Sequence, residues 1–118
     1  LLLIAALLLL GACAADVGDP AAAVERYLQA KVTGDASTVQ ALLCLSMEAD
    51  LNREASSFSS VTDARIEDMT CQRVGSTDTV QCTGQIVATY GTEATTFPLT
   101  TYQVVQEDGE WKWCGEAG

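Results

Sequence analysis

Between Thr79 and Tyr90 the chain alternates without a break. Val80, Cys82, Gly84, Ile86, Ala88 and Tyr90 fall on one side, and Thr79, Gln81, Thr83, Gln85, Val87 and Thr89 on the other. A period of two over twelve residues is a long β-strand with one covered face and one wet face. Gly75-Ser76-Thr77-Asp78 precedes it and reads as a turn. Folding the chain about that turn sets Val74 opposite Thr79 and Cys71 opposite Cys82. A four-residue loop makes the 71/82 pair a non-hydrogen-bonded one, where side chains come closest. A cross-strand disulfide Cys71–Cys82 is therefore expected.

The chain has five cysteines and no histidine. Cys44, Cys71, Cys82 and Cys114 are an even set, which admits three connectivities. With Cys71–Cys82 fixed by the hairpin, Cys44–Cys114 follows by exclusion. There is no Cys-x-x-Cys, so neither a zinc site nor a thioredoxin-type pair is expected, and no cofactor is expected. Paired cysteines point to an oxidising, extracytoplasmic compartment.

Two further hairpins continue the pattern. A turn at Gly91-Thr92 sets Ile86 against Phe97 and Ala88 against Thr95. Asp108-Gly109 is a strong two-residue turn, placing Trp113 opposite Val104 and Trp111 opposite Gln106. Two registers then fail. On the first strand Ile66 points out while Arg65 and Glu67 point in. On the third, Phe97 and Leu99 lie on the face opposite Tyr102 and Val104. One extra residue near Asp68–Thr70 and another near Thr100–Thr101 repair both, so a β-bulge is expected in each strand. The sequence leaves open whether the two tryptophans or Cys114 face the helices.

Ahead of the sheet the period is helical. Asp19-Pro20 is an N-cap followed by proline in the first turn, and Gly34 is a natural stop. Asp35 caps a second helix that carries Val39, Leu42, Leu43 and Cys44. Met47, Leu51, Ala55 and Phe58 mark a third. The expected class is α+β, with helices packed on a bent antiparallel meander of about four strands over residues 19–118.

At the N-terminus Leu1 to Leu10 are all aliphatic, followed by Gly11, Ala12 and Cys13. A short apolar run ending at small residues is a secretory leader. The order Leu10-Gly11-Ala12-Cys13 resembles a bacterial lipobox. That resemblance implies removal of residues 1–12, lipidation of Cys13, and a tether over residues 13–18. The stretch begins without Met or a charged segment, so more leader is expected before it. An ordinary cleaved signal, or the end of a longer spanning helix, are the alternatives.

The net charge is −10, from sixteen acidic and six basic residues. Nucleic acid is not an expected partner, because phosphates require Lys/Arg patches. The expected partners are the membrane, through the lipid, and a small ligand or an envelope protein. Nothing in the sequence sets an oligomeric state.

Three helices followed by a long bent meander resemble the nuclear transport factor 2-like superfamily of cone-shaped α+β domains. PAAAVERYLQAKVTGDASTVQALLC, Pro20 to Cys44, resembles the opening helices of its small secreted and lipoprotein members. EDGEWKWCG, Glu107 to Gly115, resembles their last hairpin. That superfamily holds isomerases, dehydratases and cyclases beside many modules without catalysis, so the resemblance implies a fold and not an activity. Its enzymes commonly place an acid, a base or a His-Asp pair inside the cone. The missing histidine removes the commonest base near neutral pH. No Gly-rich phosphate loop, Gly-x-Ser-x-Gly or calcium loop occurs. Glu67, Tyr27, Phe97 and Trp113 are the candidate pocket residues. Glu67, with Asp63 and Asp68, lines the cone only if the first bulge lies elsewhere. The expectation is an envelope-located, lipid-anchored binding or interaction module without catalysis. The alternative is a small lyase or isomerase that uses a carboxylate in the cone.

Overall fold

The computed structural model describes residues 18–117. The expected leader, Cys13 as the expected lipidation site, and most of the expected tether lie outside the described residues. Among the described residues no helix is long and apolar enough to cross a membrane.

Helix α1 spans Pro20–Thr33. The Asp19 carboxylate accepts from the Ala21 N–H at 2.9 Å, and Gly34 ends the helix at φ 74°, where a side chain would be strained. Its buried face is Val24, Tyr27 and Leu28. Helix α2, Ala36–Leu42, is capped by Asp35, which accepts from the Thr38 N–H and hydroxyl. The expected third helix is two pieces: a 3-10 helix Leu45–Asp50 and a short α3, Leu51–Ala55. Leu43 and Cys44 have left α2. Leu43 forms a parallel bridge with Trp113, and the Cys44 N–H donates to the Trp113 carbonyl.

The sheet is antiparallel with five strands: β1 Thr62–Arg73, β2 Thr79–Tyr90, β3 Glu93–Pro98, β4 Thr101–Glu107 and β5 Glu110–Glu116. The order is β1-β2-β4-β5, and β3 pairs with β2. The expected pairs Cys71↔Cys82, Ile86↔Phe97, Ala88↔Thr95, Val104↔Trp113 and Gln106↔Trp111 are all present. There are five strands rather than about four because the third breaks at Leu99–Thr100.

Four irregularities bend this sheet. On β1, Asp68 and Met69 stand opposite Gly84 alone, and Asp68 has φ 56°. The bulge lies where the alternation required it, and Ile66 and Met69 pack on the core as a result. A second shift on β1, at Asp63, was not foreseen. The extra residue expected near Thr100–Thr101 instead lies on β2. Leu99 donates to the Gly84 carbonyl and Cys82 to the Thr100 carbonyl, which leaves Thr83 between them. Parity flips either way, so Leu99, Tyr102 and Val104 are all buried. The fourth shift is on β5. Cys114 and Gly115 stand where β4 offers only Gln103, and Gly115 has φ 96°.

That β5 bulge, with Leu43–Cys44 running along the β5 edge, answers which residues face the helices. Trp111 and Trp113 do, both nearly fully buried. Cys114 reaches Cys44 across the sheet edge, not over the helical face. The structure holds Cys44–Cys114, 70 residues apart in sequence, and Cys71–Cys82, with Cα atoms 4.1 Å apart.

Candidate functional site

Tyr27, one turn before the end of α1's buried face, lies flat on Trp113 of β5, with ring centroids 4.0 Å apart and planes at 11°. Tyr102 leans on the same indole at 6.1 Å. The Tyr27 hydroxyl donates to Glu54 Oε1 at 3.0 Å, and Lys31 Nζ pairs with Glu54 Oε2 at 3.1 Å. Lys31 also lies over the Trp113 ring, 5.7 Å from its centroid. Spacing explains the convergence. Tyr27 and Lys31 are four apart on α1, and Glu54 is three residues after Leu51 and four before Phe58, on the face that α3 turns inward. Glu54, 7% exposed, is the one buried charged residue among those described. Burial and the neighbouring Glu54 carboxylate push the Tyr27 phenol well above its ordinary range, so it stays a neutral donor.

This polar set closes the inner end of a cleft of about 390 Å³. Small-ligand pockets begin at roughly this size, at 300–1,000 Å³. Leu28, Ile86, Leu99, Phe58 and Phe97 supply the apolar wall, and Glu116 sits on the lining as well. Phe97, 38% exposed, meets Phe58 and Tyr90 edge-on at 6.2 and 6.3 Å. The Trp113 indole N–H is buried and has no hydrogen-bond partner among the described residues, and the same is true of Trp111. The cleft lies toward the C-terminal end of α1. Asp19, at the other end, sits beside the β4–β5 turn with Gly109 and Glu110. A groove of about 460 Å³ outside the cone, beside Cys44 and Leu45, has no comparable buried polar set. Its Glu107 is engaged by the Leu45 N–H.

The structure brings together Tyr27, Trp113 and Phe97. It does not bring Glu67 to them. The bulge at Asp68 turns Glu67 to the outer face, where Gln85 and Arg65 donate to its carboxylate. Those hydrogen bonds, Gln85 first, lower its pKa, which makes it a poor proton acceptor. Asp63 and Asp68 are exposed as well. The carboxylate in the cone is Glu54, which sequence reading missed. Its signal was a charged residue at core spacing within the Leu51–Phe58 pattern. Among the described residues no cluster of His, Cys, Asp or Glu could hold a metal ion.

No protein-family model and no curated protein sequence matches the chain. Among solved structures it is similar to an NTF2-like protein of unknown function in nutrient uptake from Rhodospirillum rubrum. The TM-score is 0.53 at 20% identity, over 84% of this chain and 96% of that one. At that identity the likeness establishes an NTF2-like α+β fold.

Proposed function

Taking the NTF2-like cone as premise, we propose that this domain is a binding module without catalysis. It is held at the outer side of a bacterial membrane by lipid on Cys13, and its cone cleft takes a small ligand. The observation that carries the reading is the cleft itself: an apolar wall ending in one mutually neutralised ion pair, its carboxylate buried and its ammonium partly exposed. A pocket of that kind fixes orientation with a few polar groups and gains affinity from apolar area. The lipobox-like Leu10-Gly11-Ala12-Cys13 and the two disulfides support the location. The tether of residues 13–18 reaches α1 at its N-terminus, and the cleft lies at the opposite end of that helix, so an anchored domain leaves it accessible.

A thermal-shift screen of small apolar compounds on the full chain tests the binding role. A ligand raises Tm in proportion to ln(1 + [L]/Kd) and is recovered chemically unchanged. Palmitate labelling in a bacterial host tests the anchor: label is expected on the chain and lost with Cys13→Ser.

Glu54 favours a second reading, a lyase or isomerase with a carboxylate base in the cone. Each Glu54 oxygen already has a donor, Tyr27 or Lys31, and this weighs against it. Recovery of a converted compound, lost with Glu54→Gln, would decide for the enzyme.

A further inference from the structure

We infer that the cone cleft selects an uncharged, largely apolar ligand that carries one hydrogen-bond acceptor, and that Lys31 is the residue that reads it. The inference deepens the binding role proposed above and rests on it. The balance of donors and acceptors at the inner end of the cleft is uneven. Glu54 is buried, with Oε1 taken by the Tyr27 hydroxyl and Oε2 by Lys31. It has little accessible surface left with which to bind a donor. Lys31 has three N–H donors. Its partners among the described residues are Glu54 and the face of Trp113, and its side chain keeps 21% exposure on the cleft lining. Around the Lys31–Glu54 pair the cleft therefore has a donor to give and no comparable acceptor, the Glu116 carboxylate on the lining being exposed to solvent, and a complementary ligand brings the acceptor.

Charge decides which acceptor. Lys31 is neutralised by Glu54, and Glu116 lines the same cleft, so the lining sums to a negative charge. The whole chain carries −10. An anion entering there meets repulsion over distances within the ~10 Å screening length. A carbonyl, ether or amide oxygen takes the Lys31 hydrogen without that penalty. The apolar body then rests on Phe97, Phe58, Leu99 and Ile86.

The test is a pair of fluorescent probes matched in shape, titrated against the full chain. One is prodan, a neutral naphthyl ketone. The other is the dimethylaminonaphthoate in which a carboxylate replaces the ketone. Prodan is expected to bind one-to-one with a blue-shifted emission, and about tenfold or more tighter than the carboxylate. The variant Tyr27→Phe/Lys31→Met/Glu54→Leu removes the donor and leaves neither a buried charge nor another donor in its place. With its fold checked by circular dichroism, it is expected to lose roughly tenfold in prodan affinity. Equal or tighter binding of the carboxylate overturns the ligand class and leaves the cleft as a binding site. Unchanged prodan affinity in this triple variant overturns the role of Lys31. Failure of both probes to bind overturns the ligand class together with the binding role.

Discussion

Where β2 meets β4, at Thr79–Gln81, the sheet is covered completely. Val80, Val104 and Trp111 are buried here, Tyr102 and Trp113 are buried where this end meets the cleft, and both disulfides sit at this end. Where β2 meets β3, at Gln85–Tyr90, Phe97 and Tyr90 stay 38% and 43% exposed, and no disulfide is present. The boundary is Gly84, wedged against the Asp68 bulge. A Cβ there would lie 2.6 Å from the Asp68 carbonyl oxygen. One sheet thus carries a dry end that supplies stability and an open end whose aromatic rings line the cleft. The covalent staples lie where the packing already closes, and neither lies at the open end.

The largest effect belongs to the junction of the two ends. Trp113→Ala removes the ring stacked on Tyr27 and should cost about 3–5 kcal/mol in chemical denaturation. Replacing both Cys44 and Cys114 by Ser should cost about 4 kcal/mol, and both Cys71 and Cys82 about 3 kcal/mol, since a loop spanning 70 residues loses more closure entropy than one spanning 11. A reversed order would mean that the hairpin bridge, not the long-range Cys44–Cys114 bridge, holds the dry end. Gly84→Ala forces a methyl group into the Asp68 backbone at positive φ. About 2 kcal/mol is expected from thermal melts, and no loss would show that the bulge can relax.

Alkaline titration probes Tyr27. An unfolded tyrosine ionises near pH 10, whereas burial and Glu54 hold Tyr27 neutral in the fold. Its stabilising contribution is intact below pH 10. Above that, stability should fall by about 1.4 kcal/mol per pH unit. Tyr102, also raised by burial, adds in the same direction. Tyr27→Phe should make the decline shallower, as read from denaturation midpoints between pH 9 and 11. The smallest stability effect is at the open end: Phe97→Ala should cost less than about 1 kcal/mol while weakening ligand binding.

The parts of this structure written in local alternation are legible in the sequence. Thr79–Tyr90, its hairpin partner and the bulge at Asp68 follow from which side chains must share a face. The second irregularity was placed at the right height and on the wrong strand. Parity requires an extra residue somewhere between Leu99 and Tyr102 but is indifferent to whether β2 or its neighbour carries it. The bulge at Gly115 and the Leu43–Cys44 edge contact were hidden because both depend on one segment meeting another far away in sequence. Glu54 was hidden by a default. A glutamate in a polar stretch reads as solvated, and only the meeting of α1 with α3 supplies Tyr27 and Lys31 as its partners. Glu67 was chosen for its place on a strand, and the bulge that the alternation itself demanded turns it outward.

The claim that the two ends differ in access is tested most directly by the two indole N–H groups. Neither has a partner among the described residues, and each gives its own proton NMR signal. Trp113 lines the cleft, and Trp111 lies at the dry end beneath Arg73. Titrating the full chain with prodan should move the Trp113 signal, and those of the Lys31 and Phe97 amides, while leaving the Trp111 indole in place. Equal movement of both indoles, or movement of Trp111 alone, would contradict an open cleft set against a closed end.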